Sequence, residues 1–354
     1  MANGNLNVDT VTTSTAGGVL GAGNASIMKN RMINGAMVIA QRGTGSTSVQ
    51  TSTTYVSCDR WAVEASQNSK FTVQQSSTAP TGFNNSILLT SSAATSLAAG
   101  DYFAMYQGIE GYNIADFGWG TASAKTVTLS FWVQSSLTGT FGGSLTNNAG
   151  TRSYPFTYTI SSANTWTQAS ITIAGETTGT WNITNGAGIY LYISIGMGST
   201  YSGTAGAWAN ANYDSATGAT SVVGTSGATF YITGVQLEVG SSATGFEYVN
   251  YQTSLANCQR YYQQVLSDGT NYAFQLDQTG ASGALPSITL PLQTSMRTVP
   301  SATIVGTITY LNCTFSAISP KVNGALFQTS STGSARNLAY AGGTGNGYTF
   351  SAEL

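Results

Sequence analysis

The chain has 354 residues, of which only 7% are charged, and its 11 basic and 13 acidic residues give a net charge of −2. It contains no histidine, which excludes a Ser-His-Asp triad and a histidine metal ligand, and so few basic residues argue against nucleic-acid binding. No apolar run approaches the ~20 residues of a membrane-spanning helix, and residues 1–13 lack the basic start and apolar core of a signal peptide.

Residues 1–25 are mostly Gly, Thr, Ser and Asn, with scattered Val and Leu. Such a segment cannot bury a hydrophobic core by itself. It could be a disordered tail. It could equally be an arm that becomes ordered when it adds to the sheet edge of another chain.

Strand patterns begin near residue 26. In residues 127–133 and 189–197 apolar side chains alternate with polar or aromatic ones, so Ile189, Leu191, Ile193, Ile195 and Met197 are predicted to share a core face. Turns rich in Gly, Ser and Thr separate these runs, and no apolar period of helix length occurs. The pattern predicts an antiparallel β-sandwich.

A strand is also predicted from Phe230, but Gly234 interrupts its alternation, which resumes one position later at Val235. A glycine at such a phase change indicates a β-bulge or a close backbone approach. Residues 255–262 could form a helical turn or a strand. Beyond Tyr262, six short apolar runs in about 90 residues predict a second, smaller β-sandwich.

The residues around this junction carry a family resemblance. GVQLEVGSSATGFEY at 234–248, followed by CQRYYQ at 258–263, resembles the end of a carbohydrate-binding-module-like jelly roll in tailed-bacteriophage tail fibre and virion structural proteins. NRMING at 30–35, QRG at 41–43, DRW at 59–61, SFWV at 130–133 and YTFSAEL at 348–354 fit the same pattern in the same order.

This resemblance implies an all-β protein with an N-terminal extended arm (1–25), a jelly-roll β-sandwich (26–255) and a smaller C-terminal β-domain (256–354). It implies a non-enzymatic, homotrimeric subunit of a virion fibre or spike. We expect this subunit to be made in the host cytoplasm, to attach to other tail or head proteins through residues 1–25, and to contact a host-surface polysaccharide. No cofactor is expected.

Two other interpretations remain open at this point. A head-decoration or tail-scaffold protein with no receptor role would have the same sequence features. A polysaccharide depolymerase is the weaker alternative, because such enzymes usually need a long parallel β-helix and no repeat of the length of one coil occurs here.

Aromatic residues form the first candidate site. Tyr190 and Tyr192 alternate with the predicted core residues, and Tyr201, Trp208 and Tyr213 lie in the Gly/Ser/Asn-rich loop that follows. Exposed rings of this kind can stack on pyranose rings, and loops on rigid sandwiches commonly carry recognition. The alternative is an intersubunit contact, where Tyr and Trp are also enriched.

Carboxylates form a second candidate site. Asp101, Glu110 and Asp116 fall within sixteen positions, so a calcium site or a glycosidase-like pair can be imagined. Spacing alone proves neither, because the carboxyl groups must converge in space. The resemblance permits a structural calcium.

Charged residues are concentrated near the start of the predicted jelly roll, at Arg31, Arg42, Asp59, Arg60 and Glu64. They could contact a ligand, but ion pairing that fixes strand register is the preferred interpretation. The three cysteines, Cys58, Cys258 and Cys313, are predicted to be reduced, half-buried thiols that act as small hydrophobic residues.

Overall fold

The computed structural model describes residues 28–52, 54–279, 281–332 and 336–354. Regular structure in these ranges is nearly all β-strand, with one α-helix and three short 3-10 helices, which confirms the all-β prediction. No helix within them is long and apolar enough to cross a membrane. The predicted arm, residues 1–25, lies outside the described residues, and its role stays a prediction.

Two antiparallel sheets form before residue 240. Their strands, together with the short parallel pair β11–β12, are β1 (Thr47–Ser48), β2 (Ala62–Ala65), β3 (Phe71–Ser76), β4 (Ser86–Ser91), β5 (Tyr102–Glu110), β6 (Val127–Ser135), β7 (Gly139–Asn147), β8 (Ser153–Ile160), β9 (Thr167–Ile173), β10 (Ala187–Met197), β11 (Ser202–Gly203), β12 (Ser215–Ala216) and β13 (Thr229–Val239). One sheet has the order β1-β3-β4-β13-β6-β9 and the other β2-β5-β10-β7-β8. From β4 to β13 the chain passes repeatedly from one sheet to the other, as in a jelly-roll sandwich.

The core lies between the two sheets. On β6, the four apolar residues predicted to share one face, Val127, Leu129, Phe131 and Val133, are 0% exposed. They join side chains from both sheets in one hydrophobic cluster. Each such burial contributes roughly 1.5–3 kcal/mol, so the alternation specifies the register of the central strands.

Strand β10 follows the prediction until a bulge near its end. Four of its predicted core residues are fully buried: Ile189, Leu191, Ile193 and Ile195. The register with β5 then shifts between Ser194 and Gly196, and Met197 pairs with Tyr102. Because paired residues share a face, Met197 lies on the outer face. The prediction that Met197 is a core residue was wrong, since the extra bulge residue reverses the alternation after it.

Strand β13 carries the bulge predicted at Gly234. Its register with β6 shifts between Thr233 and Gln236, and Gly234 has φ +62°. A methyl group at Gly234 would also lie 2.6 Å from the Phe83 ring. Both suggested reasons for a glycine therefore apply at this position, namely a bulge and a close approach of another residue.

The ambiguous residues 255–262 form the second half of a helix and the start of a strand. Helix α1 (Tyr251–Gln259) is capped by the Asn250 side chain, which accepts a hydrogen bond of 2.9 Å from the Thr253 amide. Strand β14 (Tyr262–Leu266) follows. The predicted domain boundary between residues 255 and 256 falls within α1, and that division stays a prediction.

The remaining chain forms three small sheets around a second core. Their other strands are β15 (Gln275–Thr279), β16 (Ser287–Pro291), β17 (Ser301–Val305), β18 (Thr309–Leu311), β19 (Cys313–Lys321), β20 (Gly324–Ser331), β21 (Arg336–Tyr340) and β22 (Gly347–Ser351). The sheet orders are β14-β22-β17, β15-β21-β18 and β16-β20-β19. The core contains Phe274, Phe327, Tyr348 and Phe350.

Buried arginines connect the two parts. The Arg60 side chain is 1% exposed, pairs with Glu353, and donates a 2.6 Å hydrogen bond to the Gly108 carbonyl. Its guanidinium carbon lies 3.6 Å from the centroid of the Tyr261 ring. Arg42 also pairs with Glu353, at 3.0 Å. Planar guanidinium groups that stack and pair in this way fix the relative position of the groups they join.

All three cysteines are free, as predicted, but they are buried rather than half-buried. Burial raises the pKa of the Cys58 and Cys258 thiols well above the ordinary value. They are therefore inert small hydrophobic residues rather than reactive thiolates.

Candidate functional site

The outer face of the five-stranded sheet carries a row of tyrosines. Tyr190 and Tyr192 alternate with the buried residues of β10, and Tyr192 pairs with Tyr106 on β5. The Tyr106 ring centroid lies 5.3 Å from that of Tyr192 and 6.0 Å from that of Tyr190. Because cross-strand partners share a face, the three rings form one aromatic surface.

The C-terminal residues cover one end of this surface. Tyr190 pairs with Gly108, where an added methyl group would lie 2.9 Å from the Tyr190 ring and 3.1 Å from the Leu354 side chain. The Tyr55 hydroxyl donates a 3.1 Å hydrogen bond to the Leu354 carbonyl. Tyr190 is thus half-buried against the chain's own C-terminal residues, a partner that the sequence did not suggest.

The loop of residues 199–220 covers the other end of the face. Thr220 donates a backbone hydrogen bond of 2.7 Å to Thr140 on β7, and the Ser153 hydroxyl on β8 donates to the Ala211 carbonyl at 2.8 Å. These contacts hold the loop over β7 and β8. They leave the middle of the tyrosine row open between the loop and the C-terminal residues.

A cavity of about 220 Å³ lies in this opening. Its lining residues are Glu64, Tyr102, Tyr192, Tyr201, Asn212 and Asp214. The Tyr201 ring packs edge-on against Tyr102 with 5.5 Å between centroids. Asp214 is only 6% exposed, and its Oδ1 has no hydrogen-bond partner among the described residues. Tyrosine side chains and two carboxyl groups therefore line one small cavity whose accessible surface is mainly polar.

The environment changes the acidity of these groups. Burial raises the pKa of Asp214 to about 7. Burial, and then the charge of Asp214, raise the pKa of Glu64 to about 8. Burial, followed by the charges of these two carboxyl groups, also raises the pKa of the Tyr192 hydroxyl. Near neutral pH the tyrosine hydroxyl can donate a hydrogen bond, and the carboxyl groups change between their two forms.

Three of the predicted aromatic residues, Tyr190, Trp208 and Tyr213, do not line this cavity. Trp208 packs into a ring cluster, with its centroid 5.2 Å from those of both Trp119 and Tyr154. The Tyr213 ring lies directly against Gly203, where it would overlap any added methyl group. Of the five predicted residues, the structure brings Tyr192 and Tyr201 together at the cavity, with Tyr190 beside them on the sheet.

The three carboxylates considered for calcium have separate partners. Asp101 accepts from Ser66 at 2.8 Å, Glu110 pairs with Arg260 at 2.6 Å, and Asp116 pairs with Arg31 at 2.6 Å. Asp101 and Glu110 flank opposite ends of β5, which places them roughly 25–30 Å apart. No group of three or more His, Cys, Asp or Glu residues that could hold a metal is found in the described ranges.

Ion pairing accounts for four of the five charged residues near the start of the jelly roll. Arg31 pairs with Asp116, and Arg42 lies 3.8 Å from Asp59 and 3.0 Å from Glu353. Arg60 pairs with Glu353 as well. Glu64 differs, because it has no ion pair with any residue that the structure describes and faces the cavity.

A larger cavity of about 730 Å³ lies between residues 28–38, 82–84 and 246–261. Its walls include the mutually packed rings of Phe83, Phe246 and Tyr248. The guanidinium groups of Arg31 and Arg260 beside it are already paired with carboxylates. Its available surface is thus mainly apolar, which suits packing against protein better than recognition of a polar ligand.

Glu64 was assigned to ion pairing, and four other residues of the smaller cavity and the aromatic row were not predicted: Tyr102, Tyr106, Asn212 and Asp214. Tyr102 and Tyr106 could have been found, because they alternate with the buried Phe103 and Met105 in the run YFAMY. Asp214 could not have been found in this way, because it lies in a loop whose sequence shows no alternation of apolar and polar residues.

Comparison with known proteins does not assign a family. No family model matches the chain, and no curated protein matches it. Solved structures with distant similarity include the enzymatically active domain of tailspike protein 4 from bacteriophage CBA120, with 12% identity, TM-score 0.34, and coverage of 60% of this chain but 22% of the tailspike chain.

Carbohydrate-binding modules are also among the similar structures. TmCBM61 in complex with β-1,4-galactotriose has 12% identity and TM-score 0.29, over 60% of this chain and 99% of the module. The family 11 module of cellulase Lic26A-Cel5E from Clostridium thermocellum has 12% identity and TM-score 0.28, over 57% and 99%. At these TM-scores the similarity supports neither a shared family nor a shared ligand.

Proposed function

We propose that the protein is a non-enzymatic subunit of a tailed-phage virion fibre or spike that binds a host-surface glycan at the outer face of the five-stranded sheet. The observation that carries the glycan part is the 220 Å³ cavity where tyrosine rings meet carboxyl groups. Polar groups in a ligand site fix the orientation of the bound molecule. Here Tyr192 and Tyr201 line a mainly polar cavity, in which Glu64, Asn212 and Asp214 offer acceptors to the hydroxyl groups of a sugar.

The test is Tyr192→Ala, measured by isothermal titration against fragments of the host polysaccharide and by adsorption to host cells. We expect about tenfold weaker binding, equivalent to about 1.4 kcal/mol, with an unchanged oligomeric state and a lower melting temperature, because the Tyr192 ring also packs against Tyr106 and Tyr190. Tyr112→Ala is the control, because Tyr112 is 61% exposed and lies just beyond the end of β5, whereas the cavity residue Tyr102 lies at the start of that strand. Normal binding by the Tyr192→Ala protein would show that this cavity is not the glycan site. Dissociation of the oligomer in this variant would show that Tyr192 belongs to a contact between subunits.

The virion part of the proposal rests on the sequence resemblance and on the scarcity of charged residues. Deleting residues 1–25 should leave a folded protein that no longer enters particles. Normal incorporation would exclude the arm as the attachment segment. A head-decoration or tail-scaffold role without receptor binding remains the alternative, and a cryo-EM map of the virion would distinguish them by the position and orientation of the subunit.

Self-association, as a homotrimer, belongs to the same proposal. Tyr248, Val249 and Tyr251 are 65%, 44% and 59% exposed and follow one another beside the larger cavity. Clustered exposed rings of this kind suit a contact with another copy of the chain. Light scattering should give a mass near three times 36.6 kDa. A stable monomer at micromolar concentration would contradict it.

One observation favours a second candidate function, a polysaccharide depolymerase. Glu64 and Asp214 face one cavity and both have a raised pKa, as a general acid often has. Release of reducing ends from host polysaccharide, lost in both Glu64→Gln and Asp214→Asn, would establish this function and overturn the non-enzymatic proposal.

A further inference from the structure

Buried carboxyl groups elsewhere in the described residues have hydrogen-bond partners. This holds for Asp59, Asp101, Glu110, Glu176 and Glu238, which accept from amides, hydroxyls or guanidinium groups. Asp214, equally buried, has an Oδ1 without a partner. Glu64 beside it has no hydrogen bond or ion pair from a described side chain and faces the same cavity.

Two carboxyl groups arranged in this way favour a cationic ligand. An ionised carboxylate that is buried without a partner costs several kcal/mol, and a second one nearby adds repulsion. A positive charge placed between them removes both costs at once. No lysine or arginine lies within ion-pair distance of either group in the described part of the chain.

The cavity walls distinguish an organic cation from a metal ion. Calcium takes six to eight oxygen ligands, whereas half of the lining residues here are tyrosines: Tyr102, Tyr192 and Tyr201. An ammonium group donates three hydrogen bonds, which the side-chain oxygens of Glu64, Asn212 and Asp214 can accept. A volume of about 220 Å³ also corresponds to about seven water molecules, which is far more than a bare ion occupies.

We propose that this cavity recognises an ammonium group carried on a sugar, so that the preferred ligand is a glycan containing an amino sugar with a free amine. The inference rests on the proposed glycan-binding function and specifies its ligand class. Glu64 and Asp214 neutralise the ammonium group, and Tyr192 and Tyr201 line the cavity beside it.

The test compares three disaccharides of the same linkage by isothermal titration with the full chain: a glucosamine dimer, its N-acetylated form, and the glucose dimer. We expect the glucosamine dimer to bind about tenfold more tightly than the two neutral sugars. The double variant Glu64→Gln, Asp214→Asn should bind all three equally. These isosteric changes remove buried charges, so the fold should be retained.

The outcomes separate this inference from the proposed function. Equal affinity of the wild-type protein for all three sugars would overturn the ammonium preference and keep the glycan site. Binding of none of these sugars or of host polysaccharide fragments would overturn both. The last measurement is a titration with calcium chloride in place of sugar. If calcium binds to the wild-type protein but not to the double variant, and glucosamine is not preferred, the carboxyl groups form a metal site instead.

Discussion

Replacing Asp214 with asparagine should change how the stability of the jelly roll depends on pH. Burial raises the Asp214 pKa from 3.8 to about 7 in the folded protein. A carboxyl group with a higher pKa in the folded state binds its proton more tightly there, so stability falls as pH rises. The fall starts near pH 3.8 and is complete above about 7. At about 1.36 kcal/mol per unit, roughly three units amount to about 4 kcal/mol.

The fall in stability should be smaller in Asp214→Asn, because one of the two titrating carboxyl groups is gone. The other titratable groups that line the cavity are Glu64, Tyr102, Tyr192 and Tyr201, none of which is cationic. The pKa of Glu64 should itself decrease in the variant, since the charge of Asp214 contributes to raising it. The reciprocal variant, Glu64→Gln, removes the other carboxyl group. Its stability should likewise fall less with rising pH than that of the wild-type protein.

Urea unfolding followed by tryptophan fluorescence is the appropriate assay. All six tryptophans of the chain lie between residues 61 and 208, so the signal reports the jelly roll and not the C-terminal sheets. Free energies of unfolding would be compared between about pH 4 and about pH 8, where the expected loss lies. Equal pH dependence in the wild-type protein and in Asp214→Asn would refute the argument that Asp214 is buried without a compensating partner.

Three further substitutions test other parts of the structure by the same unfolding assay. Glu353→Gln should lower the free energy of unfolding by about 3–5 kcal/mol, because it leaves the buried Arg60 without its counter-ion. Trp208→Ala should cost about 3 kcal/mol of stability while sugar binding stays unchanged, since the ring belongs to the core cluster. Gly234→Ala should cost about 1–3 kcal/mol, because φ is +62° and the Phe83 ring occupies the space for a methyl group.

Each of these substitutions has a control or a contrary outcome. Lys125→Gln breaks an exposed pair with Asp116 within the jelly roll and should leave stability unchanged, so an equally small effect of Glu353→Gln would contradict the argument from burial. Gly227→Ala has a similar φ of +75° but open space around it, and it should cost less than Gly234→Ala. If the Trp208→Ala protein had normal stability but did not bind sugar, Trp208 would have to be part of the binding site.

Much of the fold was readable from the sequence, because burial on one face forces a period of two along a strand. The alternation on β6 and β10 placed the core residues and turned Tyr190 and Tyr192 outward. The glycine at 234 marked a bulge, since a phase change needs an extra residue.

The site was less predictable, because it depends on contacts between distant parts of the chain. Glu64 and Asp214 are 150 positions apart and meet only since β2 joins the edge of the sheet and residues 199–220 fold back over it. The bulge that turned Met197 outward has no glycine at its extra residue, Ile195, and leaves no mark in the alternation itself. The position of Trp208 away from the cavity could not be foreseen, because the sequence of a loop gives no information about the direction of its rings.

The pairing of Glu353 with Arg60 and Arg42 has a consequence for synthesis of the protein. These contacts join residues 293 and 311 positions apart. At roughly 5–20 residues per second, the ribosome adds Glu353 roughly 15–60 s after it adds Arg60. During that interval its guanidinium group has no counter-ion from Glu353 and has to remain hydrated. We therefore expect the jelly roll to remain incompletely packed around Arg60 while the chain is being synthesised. Final packing of this region should follow only after Glu353 has been added and can pair with Arg60.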